Sequence, residues 1–275
     1  MGAVTADRLR KTVLVVLGLA WLAPVYLMIV NAAKTNDQYG VLSVWSPAGL
    51  GGLWENAVAA WTRGDLSAGM ASTGLYAVAA PAIAVVVGAA AGFAIVALRL
   101  RHGFAWFVVI FASTVFPMQM LLMPLFLGYV ETGLYDTRTG MILVYTVISV
   151  PFAAFVMRNF FAGVAHQVFE AAVMDGASTW RIFWRIYLPM AGPALVAIFI
   201  LQATLIWNDL LLGLTLTQSA ETRPVMTALS ALQSTYGGST MPTVLAGGLI
   251  VSVPTVVLFL LAQRAFTRGL ALGQY

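Results

Sequence analysis

Long apolar stretches alternate with short polar connections along the whole chain. Most of the stretches have the length of a helix that crosses a membrane, which needs ~20 largely apolar residues. The pattern therefore predicts an all-α bundle of six membrane-spanning helices. The predicted spans cover approximately residues 13–30, 69–98, 104–127, 141–156, 190–216 and 242–262.

Two of these spans carry further signals. The second span is rich in Ala, Val and Gly, and small residues allow neighbouring helices to approach closely, so it is expected to be an inner helix. The third span contains Pro117, Gln119 and Pro124. Prolines at membrane depth are tolerated where the freed backbone groups find partners in protein, which predicts a broken helix near the bundle interior.

Composition supports this class of protein. Of 275 residues, 61% are hydrophobic and 9% are charged, whereas a soluble domain carries roughly 25% charged residues. The chain has no cysteine, which excludes disulfides, thiol catalysis and thiolate metal sites. Its two histidines predict no metal cluster, and it has no glycine-rich phosphate loop. We predict no catalytic residue, no bound cofactor and no nucleic-acid partner.

Basic residues predict the orientation. The first span follows Arg8, Arg10 and Lys11 without a convincing cleavage site, so we expect it to be retained rather than removed as a signal peptide. With six spans, ten of the fourteen Lys and Arg residues lie on the side of the termini. The positive-inside rule then places both termini, and the polar insert at 158–189, in the cytoplasm.

The polar insert carries a spaced motif. From Glu170 to Pro189 the sequence reads E-A-A-x3-G-x9-I-x-L-P. This resembles the EAA motif in permease subunits of bacterial ATP-binding-cassette importers of type I. The flanking segments are similar to the maltose-type carbohydrate branch, in particular to the shorter, second permease of each pair. One departure is Phe169, which stands where the family often has a second glutamate.

The resemblance implies that the insert forms a short coupling helix that docks on an ATPase. Ala171 and Ala172 would seat closely in a groove, and Glu170 would meet a basic partner. Gly176 permits a turn or a close backbone approach, and Ser178 can cap a second helix near Thr179. We assign ATPase coupling to Glu170, Ala171, Ala172, Met174, Asp175, Gly176, Ala177 and Ser178, with Glu170, Met174 and Ala177 on one helical face. A solvated cytoplasmic loop is the alternative.

Asp209 is the one acid that this pattern places inside a span, where a carboxylate costs at least ~2.5 kcal/mol and should face a cavity or a partner. Together with Trp207, Asn208 and Gln119 it offers the aromatic faces, amides and carboxylate that bind sugars. We assign these four residues to the translocation pathway. The alternative, that they join neighbouring helices, stays open.

The segments 34–67 and 217–241 are predicted to be external. Trp45, Trp54 and Trp61 in the first segment are suited to the membrane interface. The resemblance implies that a solute-binding protein docks on this face, and that the loop before the last span reaches into it. Tyr236, Gly237 and Gly238 would form the tip of that loop, although an ordinary turn is equally consistent with them.

The resemblance also implies the partners. The chain would form half of a sugar pathway in the bacterial cytoplasmic membrane, with a second permease, two ATPase subunits that use ATP and Mg, a solute-binding protein and membrane lipid. Alternatives are the same importer for glycerol phosphate or a polyol, a proton-coupled secondary transporter, and a membrane enzyme. The missing catalytic residues disfavour the enzyme.

Overall fold

In the computed structural model, the backbone is described for residues 2–233 and 238–271, with side chains for 7–233, 238–260 and 263. These residues form helices and turns, without a β-strand among them, which confirms the predicted all-α fold class. The α-helices in chain order are α1 (Gly2–Ala32), α2 (Asn36–Val41), α3 (Gly51–Arg63), α4 (Leu66–Val96), α5 (Gly103–Ala112), α6 (Met118–Glu131), α7 (Arg138–Ala162), α8 (His166–Met174), α9 (Thr179–Ile182), α10 (Leu188–Met190), α11 (Gly192–Trp207), α12 (Leu211–Leu216), α13 (Val225–Ala231) and α14 (Met241–Ala271).

Within the described part of the chain, four helices are long and apolar enough to cross a membrane alone, and two bent helix pairs bring the number to as many as six. Each predicted span overlaps one of them. The single helices cover Asp7–Ala32, Leu66–Val96, Arg138–Ala162 and Met241–Leu260, and the bent pairs are Gly103–Val115 with Met118–Glu131 and Thr179–Met190 with Gly192–Trp207.

The third span is broken, as predicted. Its two halves meet at 94°, and a short 3-10 turn, Ser113–Val115, ends the first half. Pro117 precedes the second half in an extended conformation. Proline lacks the N–H that would continue the helix, so the chain turns here. Pro124, by contrast, lies inside α6.

The fifth span is not the continuous helix predicted over 190–216. It bends by 75° where α10 meets α11, and α11 then ends at Trp207, so Asp209 lies in a break before α12. Asn and Asp side chains compete for backbone hydrogen bonds and so interrupt helices. Here the Asn208 side chain donates to the carbonyl of Thr204 at 2.8 Å.

Glycines in α4 allow close packing against α7. A Cβ on Gly88 would lie 2.6 Å from the Cβ of Ala153, and a Cβ on Gly92 would lie 2.7 Å from the backbone nitrogen of Arg158. Such distances leave no room for a side chain. The second predicted span is therefore an inner helix, as its small residues indicated.

The predicted external segments contain helices that the hydropathy pattern did not indicate: α2 and α3 in the first, and α13 in the second. A capping box starts α2, since the Thr35 hydroxyl accepts from the backbone N–H of Gln38 and the Gln38 side chain accepts from the backbone N–H of Thr35. Thr-x-x-Gln is the sequence pattern of a capping box at a helix start, so the sequence could have predicted α2.

The connection between α6 and α7 is bound to the connection between α12 and α13. The Asp136 carboxylate accepts from the backbone N–H groups of Gln218 at 2.8 Å and Ser219 at 3.0 Å, and from the hydroxyls of Ser219 and Thr222. Burial alone would raise the pKa of Asp136, but these hydrogen bonds outweigh it and hold the pKa below its usual value.

The contacts divide the chain into two compact units. One comprises Met1–Ser67 and Ala228–Val253, and the other comprises Ala68–Thr227 and Pro254–Tyr275. The single permease domain expected over 1–275 stays a prediction. The second unit holds both regions of the candidate site, since the polar insert and the break at 208–210 lie within Ala68–Thr227.

Candidate functional site

The polar insert is mostly helical. Its first residues, Arg158 and Asn159, lie near the C-terminal end of α7 rather than in a loop. The insert proper starts at α8 and continues through a turn into α9, a five-residue π-helix at Phe183–Tyr187, and α10. We call His166–Met190 the coupling segment.

The inward side of the coupling segment is fixed by aromatic rings. Phe93 of α4 lies 5.3 Å from Phe183 and 4.9 Å from Tyr187, and Tyr187 lies 5.4 Å from Phe161 of α7, between ring centroids. Tilted and edge-on rings at this spacing are favourable packing. The coupling segment is therefore attached to two membrane helices.

Phe169 belongs to the same inward side. Its ring lies 6.3 Å from that of Phe93 and is stacked on the imidazole of His166. An acid at this position would face an apolar cluster, which explains why a phenylalanine is suited here. His166 in turn lies 3.7 Å from the Glu170 carboxylate.

Gly176 makes a turn, one of its two predicted roles. Its φ is +74° and no atom lies within 4 Å of a Cβ placed on it, so the backbone conformation rather than space favours glycine. The N–H of Gly176 donates to the carbonyl of Val173, and that of Ala177 donates to the carbonyl of Ala172, both at 3.0 Å. These two bonds are the Schellman motif, which ends α8.

Ser178 caps the following helix, as predicted. Its hydroxyl accepts from the backbone N–H of Arg181 at 3.4 Å, and its own backbone is extended. The side chain thereby satisfies one of the N–H groups that the first turn of α9 leaves unpaired. The Gly176 turn and the Ser178 cap together fix the angle between α8 and α9.

Two of the predicted contact residues point inward. Ala172 is 5% exposed and belongs to the apolar cluster around Phe93, and Ala177 packs against the same cluster. The prediction that Ala177 shares an outward face with Glu170 and Met174 is thus wrong. The reason is that α8 ends at Met174 and the Gly176 turn directs the chain back toward the core. Ala171 stays on the exposed side.

The outward side exposes a patch of large apolar side chains. Met174 is 86% exposed, Trp180 is 72% exposed and Val173 is 49% exposed, next to exposed Glu170 and Asp175. Exposed apolar groups rimmed by charges mark interaction surfaces. Trp180 was not among the predicted contact residues, although a tryptophan in a basic, polar insert was a signal for it.

The carboxylate of Asp209 is bound within the chain. One of its oxygens accepts from the hydroxyl of Tyr145 in α7 at 2.9 Å and from the backbone N–H of Gly213 in α12 at 3.2 Å. Tyr145 is buried, 3% exposed. This geometry favours the second interpretation of Asp209, in which the acid joins neighbouring helices.

The other predicted pathway residues differ in exposure. Asn208 is exposed and Trp207 is half-buried in a cluster that includes Met118. Gln119 follows Met118 as the second residue of α6, and its side chain is exposed. The amides of Asn208 and Gln119 are therefore exposed, and Asn208 also donates to Thr204 within α11. The Asp209 carboxylate, by contrast, bonds across helices.

The predicted loop tip lies largely outside the described residues. Tyr236 and Gly237 are not among them, and Gly238 is, with a φ of +57°. That left-handed conformation is one that glycine adopts readily. Over the described residues, no group of three or more His, Cys, Asp or Glu is placed to hold a metal ion.

Known proteins resemble this chain along most of its length. The family described as "Binding-protein-dependent transport system inner membrane component" matches residues 84–271. The trehalose transport system permease protein SugB of Mycobacterium tuberculosis is 36% identical over 200 residues, which cover 70% of each chain. The diacetylchitobiose uptake system permease protein NgcG of Streptomyces coelicolor is 29% identical over 276 residues, covering 98% of this chain and 89% of that protein.

A solved structure matches the fold. It is the crystal structure of a bacterial ABC transporter involved in the import of the acidic polysaccharide alginate, with a TM-score of 0.73 and 24% identity. The match covers 94% of this chain and 97% of that chain. The chain therefore has the fold of that structure.

Proposed function

Because this chain belongs to the family of inner membrane components of binding-protein-dependent transport systems, we propose that it is one permease subunit of an ABC importer for a carbohydrate. It is a multi-pass membrane protein and a pathway component rather than an enzyme. The observation that carries the proposal is the coupling segment, which is fixed to membrane helices on one side and exposes Met174 and Trp180 on the other.

The exposed patch is where a separate ATPase subunit docks in this proposal. A methionine and a tryptophan, with Glu170 and Asp175 beside them, form the apolar centre and polar rim that protein interfaces use. The ATPase binds and hydrolyses ATP with Mg. In this proposal that chemistry takes place in the ATPase subunit, and the coupling segment receives the resulting motion.

The aromatic cluster behind the patch transmits that motion. Phe183 and Tyr187 of the coupling segment contact Phe93 of α4, and Tyr187 also contacts Phe161 of α7. Close-packed interiors transmit displacement, so a shift of the coupling segment moves α4 and α7 with it. The coupling segment also continues into α11 through the bend at Ala191, which makes α11 a second route for this motion.

Asp209 and its neighbours have separate roles in this account. The Tyr145 hydroxyl and the Gly213 N–H hold Asp209 in place, which fixes the break between α11 and α12. Asn208 and Gln119 offer amides, and Trp207 an aromatic face, to the hydroxyls and C–H faces of a sugar. In this account the amides and the tryptophan ring contact the sugar, and the Asp209 carboxylate holds the break in position.

A carbohydrate is the cargo that the relatives support best. The names of two relatives specify a trehalose system and a diacetylchitobiose system. Both cargoes are neutral disaccharides. Glycerol phosphate and polyols are not favoured by these names, and a neutral sugar matches the amide and aromatic groups near the break.

The remaining subunits follow from a pathway formed between two permeases. We assign a second permease as the other half, two ATPase subunits on the cytoplasmic side, and a solute-binding protein on the outer side. The basic residues put both termini and the coupling segment in the cytoplasm. The predicted external segment 217–241, with the predicted tip Tyr236, Gly237 and Gly238, then faces the binding protein.

Uptake by reconstituted vesicles tests this function. The complex that co-purifies with this chain is reconstituted with ATP inside and solute-binding protein outside, and labelled trehalose, diacetylchitobiose and maltose are offered beside glycerol 3-phosphate. We expect uptake of at least one sugar that requires both ATP and the binding protein. Uptake by this chain alone, driven by a proton gradient, would instead establish the secondary transporter.

A further inference from the structure

Helix α3 has three distinct sides. The side formed by Gly52, Asn56 and Ala60, at helical spacing, faces the protein. Gly52 and Ala60 are buried, and a Cβ on Gly52 would lie 2.5 Å from the carbonyl oxygen of Ala33. The side chain of Asn56 donates to the carbonyls of Ala32 at 3.0 Å and Lys34 at 2.8 Å. This side fixes α3 against the end of α1.

A buried lysine reinforces that attachment. Lys34 is fully buried, 0% exposed, and its ammonium group donates to the side-chain oxygen of Asn31 and to the carbonyl of Ser43, both at 2.8 Å. Asn31 in turn donates to the carbonyl of Val44 at 2.9 Å. A buried cation needs such hydrogen bonds, so the chain on both sides of α2 is held rigidly to α1.

A second side of α3 is apolar and exposed. Trp54, Val58 and Trp61 follow one another by four and three residues and share one face, which Leu50 extends by one turn. Trp54 is 76% exposed, Val58 43%, Trp61 42% and Leu50 71%. Isolated exposed apolar residues are ordinary, but a continuous stripe with two tryptophans marks a surface that meets an apolar partner.

The third side is polar. Glu55 and Thr62 are exposed and lie seven residues apart, two turns along the same face. This side is adjacent to the apolar stripe and away from Gly52 and Ala60. A helix with protein on one side, an apolar stripe on the next and charge on the third has the pattern of a helix that lies in the plane of a membrane interface.

The chain connections place α3 at a membrane surface. It follows the span that ends at Ala32 and leads, after two residues, into the span that begins at Leu66. With 13 residues it is about 20 Å long, too short to cross a hydrocarbon core of ~30 Å. The exposed apolar surface of α1 continues up to this level, at Val25, Tyr26 and Ile29.

We propose that α3 is an interfacial anchor, with the Leu50, Trp54, Val58 and Trp61 stripe buried in the lipid of the leaflet at which α1 ends. Tryptophan is the residue that this zone favours, because its ring is apolar and its N–H stays hydrated. Asn56 joins α3 to the end of α1, and Lys34 and Asn31 join the chain that leads into α3 to the same end. The anchor therefore fixes the depth of that end of α1. This inference rests on the membrane location alone and not on the cargo.

Site-directed spin labelling tests the proposal, because the native chain has no cysteine. Single cysteines replace Trp54 and Val58 on the apolar stripe, and Glu55 and Thr62 on the polar side as matched controls. The labelled chain, with the subunits that it retains, is reconstituted into phosphatidylethanolamine–phosphatidylglycerol vesicles. The same preparation of the cysteine-free chain gives the background signal.

Collision with oxygen, which concentrates in lipid, is compared with collision with a water-soluble nickel chelate. At positions 54 and 58 we expect oxygen collisions to exceed chelate collisions several-fold, at a depth of about 5–10 Å, and at 55 and 62 we expect the reverse. Chelate access at 54 and 58 equal to that at 55 would overturn the proposal. Exclusion of both reagents at 54 and 58 would overturn it as well, because protein would then cover the stripe.

Discussion

At the scale of single residues, the coupling segment depends on a glycine for its backbone rather than for space. With φ at +74°, a non-glycine residue at position 176 is strained by ~1–2 kcal/mol, and a β-branched residue is strained most. The conformation places Ala177 back on the core and leaves Met174 exposed. Strain here shifts the patch that the ATPase is proposed to bind.

We expect Gly176→Val to uncouple ATP hydrolysis from uptake while the spans stay inserted. Gly176→Asn is the matched control, since asparagine tolerates the left-handed conformation and should retain most of the uptake. The measurement is sugar uptake per ATP hydrolysed in vesicles. Normal coupling in the valine variant would refute the role of the turn.

For Asp136, the direction in which pH changes stability follows from its pKa. Its pKa is held below its usual value, so its contribution to stability is present above the unfolded-state pKa of ~3.9 and is lost as the pH falls through the lower, folded-state pKa. Asp136→Asn should lower thermal stability at pH 7 by about 1–3 kcal/mol, the cost of weakened hydrogen bonds to a charged group.

The difference between wild type and Asp136→Asn should shrink as the pH falls below ~3.9. Intrinsic fluorescence of the detergent-solubilised chain during heating gives both stabilities. Glu131→Gln, at an exposed position in α6, is the control and should leave stability unchanged at both pH values. A difference that persists at low pH would show that the carboxylate charge is not involved.

At the scale of helices, the break between α11 and α12 is held by one hydrogen bond between side chains. Asp209 and Tyr145 are 2.9 Å apart, and a bond to a charged group contributes ~1.5–3 kcal/mol. We therefore expect Tyr145→Phe and Asp209→Asn to lower the yield of intact complex to a similar degree. The double variant should cost little more than Tyr145→Phe alone, because phenylalanine removes the bond that asparagine at position 209 weakens.

Transport per intact complex distinguishes the two interpretations of Asp209. A positioning role leaves this quantity near normal in Tyr145→Phe and Asp209→Asn. Asn208→Ala, at an exposed neighbour whose side chain donates to Thr204 within its own helix rather than across helices, should instead lower transport with little loss of complex. Loss of transport in a stable Asp209→Asn complex, with Tyr145→Phe normal, would return the carboxylate to the sugar pathway.

How far the sequence predicts the helices depends on the type of signal. Hydropathy located the spans because a helix in lipid must be apolar over its length, and prolines located the 94° break. The break at Asn208 was missed because two polar residues after a long apolar run were interpreted as buried groups within one helix. The short helices α3 and α13 were missed because hydropathy does not detect helices too short to span.

For the site, the sequence predicted the Gly176 turn and the Ser178 cap, since each depends on local chemistry. It did not predict that Ala172 and Ala177 face the core, because the orientation of a helix follows from tertiary contacts with Phe93 and its neighbours. The same contacts leave Trp180 outside. The sequence also did not predict the partner of Asp209, since Tyr145 is 64 residues away in the chain.

At the scale of the whole molecule, the predicted orientation in the membrane rests on the basic residues, since six spans would put ten of the fourteen on the side of the termini. Ser178→Cys and Asp37→Cys report on the two sides, and both positions are exposed. An impermeant maleimide added to intact cells should label Asp37→Cys and not Ser178→Cys, with both labelled after solubilisation. Labelling of Ser178→Cys in intact cells would reverse the assigned orientation.

The central claim is that the outward side of the coupling segment binds an ATPase, and co-purification through a tagged chain tests it most directly. Buried tryptophans at interfaces often contribute 2 kcal/mol or more, so Met174→Asp combined with Trp180→Asp should abolish recovery of an ATP-hydrolysing subunit that the wild type retains. Val41→Asp, at an 85% exposed position in the predicted external segment, should leave recovery unchanged. Equal recovery of the ATPase with the double variant, or its absence from a wild-type complex that retains the second permease, would contradict the account.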